Sequence, residues 1–267
     1  MRKALIVAGY CCVWLFLGQE VVDAFVHPTP WKLGMALLVL AVLLIFGSIV
    51  RPRKGERHEA VEVDPPVRER WKALNSPADK TPSHGTHQYA QTYAIDIVSA
   101  PEGASGTTFG WWPLTRPNRE FPAFGQPLLA VGDGEVVRVS DWRRDHLSRT
   151  SWPALIYLVF EGVIRSLGGA GWVIGNHVIV RLDTGVYALY AHLHKRSAQV
   201  RKGDRVVAGQ TLALCGNSGN STEPHLHFQL MDHFDPELAK GIPFSWRGVG
   251  VPATGEAFEV PSLPKAG

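Results

Sequence analysis

From residue 88 onward the chain is a succession of short apolar runs cut by glycine-bearing turns. Residues 128–131 meet Gly132-Asp133-Gly134 and then 135–139. Residues 177–182 run into Asp183-Thr184-Gly185 and then 186–192, and the runs 206–212 and 225–230 follow. Such runs are too short for stable helices, and a Gly-bearing turn between two of them signals a hairpin. The pattern predicts a mainly β chain, a compact antiparallel β-sandwich or barrel-like domain. One stretch breaks it. Residues 141–171 hold a long apolar run at 152–160 and then Glu161-Gly162-Val163-Ile164-Arg165, which predicts an inserted helical segment. A helix packed on the barrel is the plainer expectation there, and a flap over the substrate or against a membrane is the alternative.

The N-terminus has a different pattern. Residues 33–50 are 18 in a row without a charge, flanked by Trp31 and Lys32 on one side and by Arg51, Arg53, Lys54 and Arg57 on the other. Residues 4–19 are a second uncharged stretch, behind Arg2 and Lys3, either a short span or a signal-peptide core, since Val22-Asp23-Ala24 loosely resembles a cleavage site; the second apolar segment that follows at once favours the span. Together they predict a transmembrane helical hairpin over residues 1–50, with helices at about 4–19 and 33–50. On this reading the protein is a multi-pass cell-membrane protein that meets membrane lipid through its N-terminal helices. The flanking basic residues would place both termini on the cytoplasmic side. Residues 51–81, charged and Pro-containing, are expected to be a linker, 82–235 the β domain, and 236–267 a C-terminal extension.

Composition narrows the function. Residues 1–57 carry a net charge of +4 and the remaining 210 a net charge of −1, so the basic pI of about 8.8 belongs to the N-terminus. Nothing beyond it has the positive excess of a nucleic-acid-binding domain. Three cysteines are too few for a disulfide framework. Cys215, next to the apolar run 212–214, is expected to be a buried, inert thiol.

The histidines carry the chemistry. There are eleven. His225 and His227 stand two apart in a strand-like run, so their side chains share a face. His192 and His194 repeat that spacing, and His84 and His87 precede Asp96. Two or three histidines with one carboxylate and an open coordination position form the pattern of a catalytic zinc site. Zinc makes a water acidic near neutral pH and polarises a carbonyl, while neighbouring imidazoles move protons. His27, His58, His146, His177 and His233 are expected to be ordinary surface or core residues. The Gly/Ser/Asn stretch 216–222 lacks the Lys-Ser/Thr of a phosphate-binding loop, and is expected to be a turn that delivers His225 and His227.

Several separate motifs, in order, resemble the lysostaphin/LytM-type zinc metallopeptidases. They are Tyr190-Ala191-His192-Leu193, Val200-Arg201-Lys202-Gly203-Asp204-Arg205-Val206, Gly209-Gln210, Gly216-Asn217-Ser218-Gly219 and Pro224-His225-Leu226-His227-Phe228. The resemblance covers about residues 82–232. It implies an antiparallel β-fold with a groove, one Zn²⁺, and cleavage of peptide bonds in peptidoglycan stem peptides or cross-bridges. Carried over, His227 and Asp96 are zinc ligands. His225 is the general base or transition-state stabiliser, and His192 is the second catalytic histidine. The commonest family pattern puts the first histidine ligand four residues before the aspartate, where this chain has Thr92. His84 is favoured as that ligand over His87, because Gly85 lets the loop turn tightly toward a metal. A non-catalytic peptidoglycan-binding or hydrolase-activating relative is the alternative reading. A biotinyl- or lipoyl-type carrier domain ranks last, since no lysine sits at a Met-Lys-Met-like hairpin tip.

Overall fold

The structure is a computed structural model. It describes residues 59–103 and 109–261, with residues 11, 12, 15, 16, 19, 34–36, 39, 40 and 43. The chain divides into two compact units, Met1–Glu56 and Arg57–Gly267. Among the described residues every strand belongs to the second.

The strands in chain order are β1 (Val61–Val63), β2 (Glu69–Asn75), β3 (Ile95–Ser99), β4 (Pro127–Leu129), β5 (Gly134–Ser140), β6 (His177–Leu182) and β7 (Tyr187–Ala191). β8 (Arg205–Val206), β9 (Thr211–Leu214), β10 (Leu226–Met231), β11 (Gly241–Ile242), β12 (Phe244–Trp246) and β13 (Ala257–Val260) follow. Two helices, α1 (Trp152–Leu167) and α2 (Ala170–Val173), lie between β5 and β6. The main sheet has nine strands in the order β13-β2-β3-β10-β7-β6-β5-β8, with β11 on β10, and all its pairings are antiparallel. β4 pairs with β9 antiparallel, and β1 with β12 in parallel. The mainly β expectation holds.

Period-two alternation builds the core. Ile95 and Ile97 of β3, Val178 and Val180 of β6, Tyr190 of β7, and Leu226, Phe228 and Leu230 of β10 point to one side, into the main apolar cluster with Trp71 and Trp246. Ile179, Leu189, Ala191 and Met231 point to the other side, into a smaller cluster with Ala90 and Ile174. His227 and Gln229 share that second side of β10. The site therefore grows on the face of the sheet opposite the main core.

Three sequence expectations change. The run 128–139 is not a hairpin: β4 joins β9, while β5 joins β6 and β8. The turn residue Asp133 is bonded elsewhere, its carbonyl accepting from Asp183 N at 3.0 Å and its Oδ1 from Ala208 N at 2.8 Å. The expected linker 51–81 supplies β1 and β2, and the expected extension 236–267 supplies β11, β12 and β13. Trp71, Ala73, Phe258 and Val260 turn inward, each beside at least one charged neighbour, so short alternations rich in Lys, Arg and Glu hid real strands.

The third is a correction. No helix among the described residues is long and apolar enough to cross a membrane. The stretches 4–19 and 33–50, where the hairpin was expected, lie mostly outside the described residues. The reading of a two-span, multi-pass membrane protein is overturned on that finding, and the expected contact with membrane lipid is left without support.

The segment 141–171 does carry a helix. Ser151 caps α1, its Oγ accepting from Ala154 N at 3.3 Å, and Pro153 sits in the first turn, where its missing N–H costs nothing. Ala154 and Leu158 are buried, whereas Ile156, Val159, Phe160 and Ile164 are exposed.

Candidate active site

β3 lies beside β10, with Asp96 directly opposite His227. Their neighbours Ile95, Ile97, Leu226 and Phe228 enter the core, so alternation leaves the carboxylate and the imidazole together on the other face. Asp96 Oδ1 is 2.8 Å from His227 Nδ1, and Asp96 Oδ2 is 2.8 Å from His84 Nε2. The loop before β3 thus delivers His84 edge-on to His227, with ring centroids 4.9 Å apart. Donor atoms of His84, Asp96 and His227 all lie within 4.8 Å of one another. His87 is turned away, its Nδ1 2.9 Å from Thr92 Oγ1.

The partners of these rings fix which nitrogen is free. The Ser83 hydroxyl donates to Gln91 O, so it accepts from His84 Nδ1–H at 3.0 Å, and His84 Nε2 is left bare toward Asp96. His227 Nε2–H donates to Gln229 Oε1 at 2.9 Å, leaving Nδ1 bare. Gln229 is itself held by Tyr89 O at 2.8 Å. Metal-ligating histidines carry such outer partners, which set the tautomer and the ring orientation. Two imidazoles and one carboxylate with room for more is the donor set that zinc takes in catalytic sites.

His192 and His225 complete the cleft, their rings 4.8 Å apart. His225 precedes β10. Its Nδ1–H donates to Glu223 O at 2.7 Å, and its Nε2 stands 3.6 Å from Asp96 Oδ1. His192 Nδ1–H donates to Ser218 O at 2.7 Å, so its Nε2 is the bare nitrogen. His192 has φ +60°, left-handed for a non-glycine residue. This backbone strain is of order 1–3 kcal/mol and persists only where the surroundings impose it. It also reverses the alternation: Ala191 sits in the small cluster and Leu193 in the main core. Without that reversal His192 would follow Tyr190 into apolar packing.

All five side chains expected from the sequence line one cleft of about 290 Å³, together with Asn220 and Thr222 from the turn 216–222. A larger hollow of about 650 Å³, between 114–118 and 144–157, contains none of them. Sequence reasoning missed Gln229, although it stands at +2 from His227 and shares its face. It also missed Ser83, Ser218 and Asp145, for which no local pattern exists. His194, left without a role, is bonded to Asp145 Oδ2 at 2.7 Å.

Charge in the cleft is lopsided. Burial opposes ionisation of Asp96, but when the neighbouring rings are protonated the charges of His84 and His225 and the hydrogen bonds from His225 and His227 outweigh it and hold the carboxyl well below its usual range. Burial, then the charges of His225 and His227, keep His192 well below the usual histidine range, as a neutral imidazole. For His225 burial pulls the other way, yet Asp96 beside it wins and the net shift is upward. Cys215 is fully buried and burial pushes its thiol up, as an inert core residue requires.

Glycine geometry lets the chain cross here. A Cβ on Gly216 would lie 2.2 Å from His194 N and 2.5 Å from Asp145 Oδ1. Gly175 (φ +68°) and Gly219 (φ +79°) cross backbone to backbone, a Cβ on either meeting the other's segment at about 2.5 to 2.6 Å.

Residues 120–237 match the model of Peptidase family M23. The matched stretch includes His192, His225 and His227, whereas His84 and Asp96 precede it. The glycyl-glycine endopeptidase ALE-1 of Staphylococcus capitis is 37% identical over 73 residues, 27% of this chain and 20% of that protein. The peptidoglycan DD-endopeptidase ShyC of Vibrio cholerae is 36% identical over 139 residues, 51% of this chain and 23% of that protein. The chain thus spans about a fifth of the length of either relative. A crystal structure of a zinc-containing peptidase from Vibrio cholerae aligns with a TM-score of 0.35 at 20% identity, covering 69% of this chain and 39% of that one.

Proposed function

We propose that the chain is a zinc endopeptidase that hydrolyses peptide bonds of peptidoglycan stem peptides or cross-bridges. The observation that carries this reading is the convergence of His84, Asp96 and His227 on one point, with His192 and His225 beside it. The family match and the names of the relatives support the substrate class.

In this reading His84 Nε2, an Asp96 oxygen and His227 Nδ1 hold the metal. A bound Zn²⁺ supplies Lewis-acid polarisation of the scissile carbonyl and makes a water acidic near neutral pH. The chain's own residues do the rest. His192, neutral and with Nε2 bare, takes a proton from the attacking water. His225, whose Nε2 stands 3.6 Å from Asp96 Oδ1 at the mouth of the same cluster, donates to oxyanion charge as it develops and stabilises the transition state. Ser83 and Gln229 hold the ligand rings in the binding tautomer. The non-catalytic alternative has no observation in its favour, since all five expected side chains stand in the cleft.

The test is metal content and hydrolysis on the full chain. About one zinc per chain is expected, lost in His227→Ala and His84→Ala and kept in His87→Ala. His192→Ala should keep zinc and lose about 10²–10⁴-fold in release of amino groups from purified peptidoglycan. A folded wild-type chain that takes up no zinc when it is supplied, or cleaves nothing, sinks the reading.

A further inference from the structure

The stretch between β5 and α1 gives no ligand to the metal cluster. It is nevertheless stitched to both loops that shape His192. Asp145 is the centre of that stitching. Its Oδ2 accepts from Lys195 N at 3.0 Å and from His194 Nδ1 at 2.7 Å, and its Oδ1 accepts from Asn217 N at 2.7 Å. The side chain is 9% exposed. Lys195 stands three residues after His192, and Asn217 immediately precedes Ser218, whose carbonyl receives the Nδ1–H of His192. One carboxylate therefore ties the loop that carries His192 to the loop that orients its ring. Adjacent bonds reinforce the seam: His146 N donates to Asn217 O at 3.1 Å, and Asn217 Nδ2 to His146 O at 3.0 Å. Gly216 lets the carboxylate come this close, since a Cβ there would meet Asp145 Oδ1.

We propose that Asp145 is a positioning residue for His192, holding the strained backbone at 192 and the Ser218 carbonyl in the one arrangement that points the bare Nε2 into the cleft. The proposal rests on the peptidase reading of that cleft. A carboxylate is required because three N–H groups converge on two oxygens. An amide offers one acceptor and would aim its own NH₂ at a donor. Asp145→Asn should therefore fail almost as badly as Asp145→Ala, although its size is unchanged.

The experiment compares full-chain wild type, Asp145→Asn and Asp145→Ala. In both variants kcat on peptidoglycan should fall about 10–100-fold, with zinc per chain and KM within about twofold of wild type. Amide exchange at Lys195 and Asn217 should quicken by about tenfold or more, and the slowly exchanging His192 Nδ1–H proton signal should vanish. A folded variant with wild-type kcat and an intact His192 signal overturns the proposal. So does loss of zinc in step with kcat, which would make Asp145 a support of the metal site. If neither variant folds, Asp145 serves the fold and the proposal also falls. A wild-type chain that cleaves nothing would remove the peptidase reading, while the exchange rates and ring signal would still report whether Asp145 holds His192.

Discussion

At the scale of single residues, what distinguishes the histidines is the partner that each one meets. His84, His192, His225 and His227 each have a ring nitrogen committed to a hydroxyl, amide or carbonyl partner and present the other to the cleft. His177 differs. It is 4% exposed, its Nδ1–H donates to Gly175 O at 2.8 Å, and its Nε2 has no hydrogen-bond partner among the described residues. Burial pushes it down to about 4. The unfolded chain then binds a proton below about pH 6.5 that the folded chain refuses, so this contribution is full above about 6.5 and is lost as pH falls toward 4. The loss amounts to about 3 kcal/mol. In chelator-treated protein, urea unfolding at pH 7 and pH 4 should show a wild-type drop that exceeds the His177→Gln drop by about that amount. Equal drops in the two proteins would show that His177 is not held neutral.

At the scale of elements, α1 lies in the segment 141–171 that breaks the run of strands. Its N-cap does two jobs: Ser151 Oγ accepts from Ala154 N and donates to Leu114 O at 2.8 Å. Ser151 is fully buried, so removing the hydroxyl leaves both partners without a replacement from water. Ser151→Ala should cost about 2 kcal/mol, the sum of a lost cap and an unpaired carbonyl. The measurement is thermal or urea unfolding, with amide exchange rising first in α1. Zinc content should not change, because none of His84, Asp96 and His227 touches the cap. On the other side of α1, Arg149 is paired with Glu161, which also binds Arg165 at 3.2 Å, so the helix is anchored to the 141–149 segment by charge as well as by Ala154 and Leu158.

At the scale of the molecule, the site is a clasp between distant parts of the chain. His84 and Asp96 come from the strands and loops before β4, and His227 from β10, 131 residues after Asp96. A ligand that binds only the folded state stabilises it by about 2.7 kcal/mol when present at 100 times its dissociation constant. Chelation should therefore lower the melting temperature of the wild-type chain by several degrees, as expected for a loss of that size. His227→Ala should melt at the same temperature with and without chelator. An unshifted wild-type melting temperature would mean that no metal closes the clasp.

How much of this was legible in the sequence differs from residue to residue. Strand periodicity alone put His225 and His227 on one face, because side chains alternate on any extended chain, whatever surrounds it. The helix 152–167 was legible from its apolar run, and its cap and its proline lie just before and within the first turn. The pairing of β4 with β9, and of β2 with β13, was not legible, because register between remote segments leaves no mark in either one. The meeting of His84 and His227 at Asp96 and the hold of Asp145 on two loops depend on groups 12 to 131 residues apart meeting at 2.7–2.8 Å. The sequence by itself determined the donor types, their spacing along each strand and the mainly β character, since these follow from local chain geometry. Only the tertiary structure decided which donors share a point in space, because that is settled by packing the whole sheet at once.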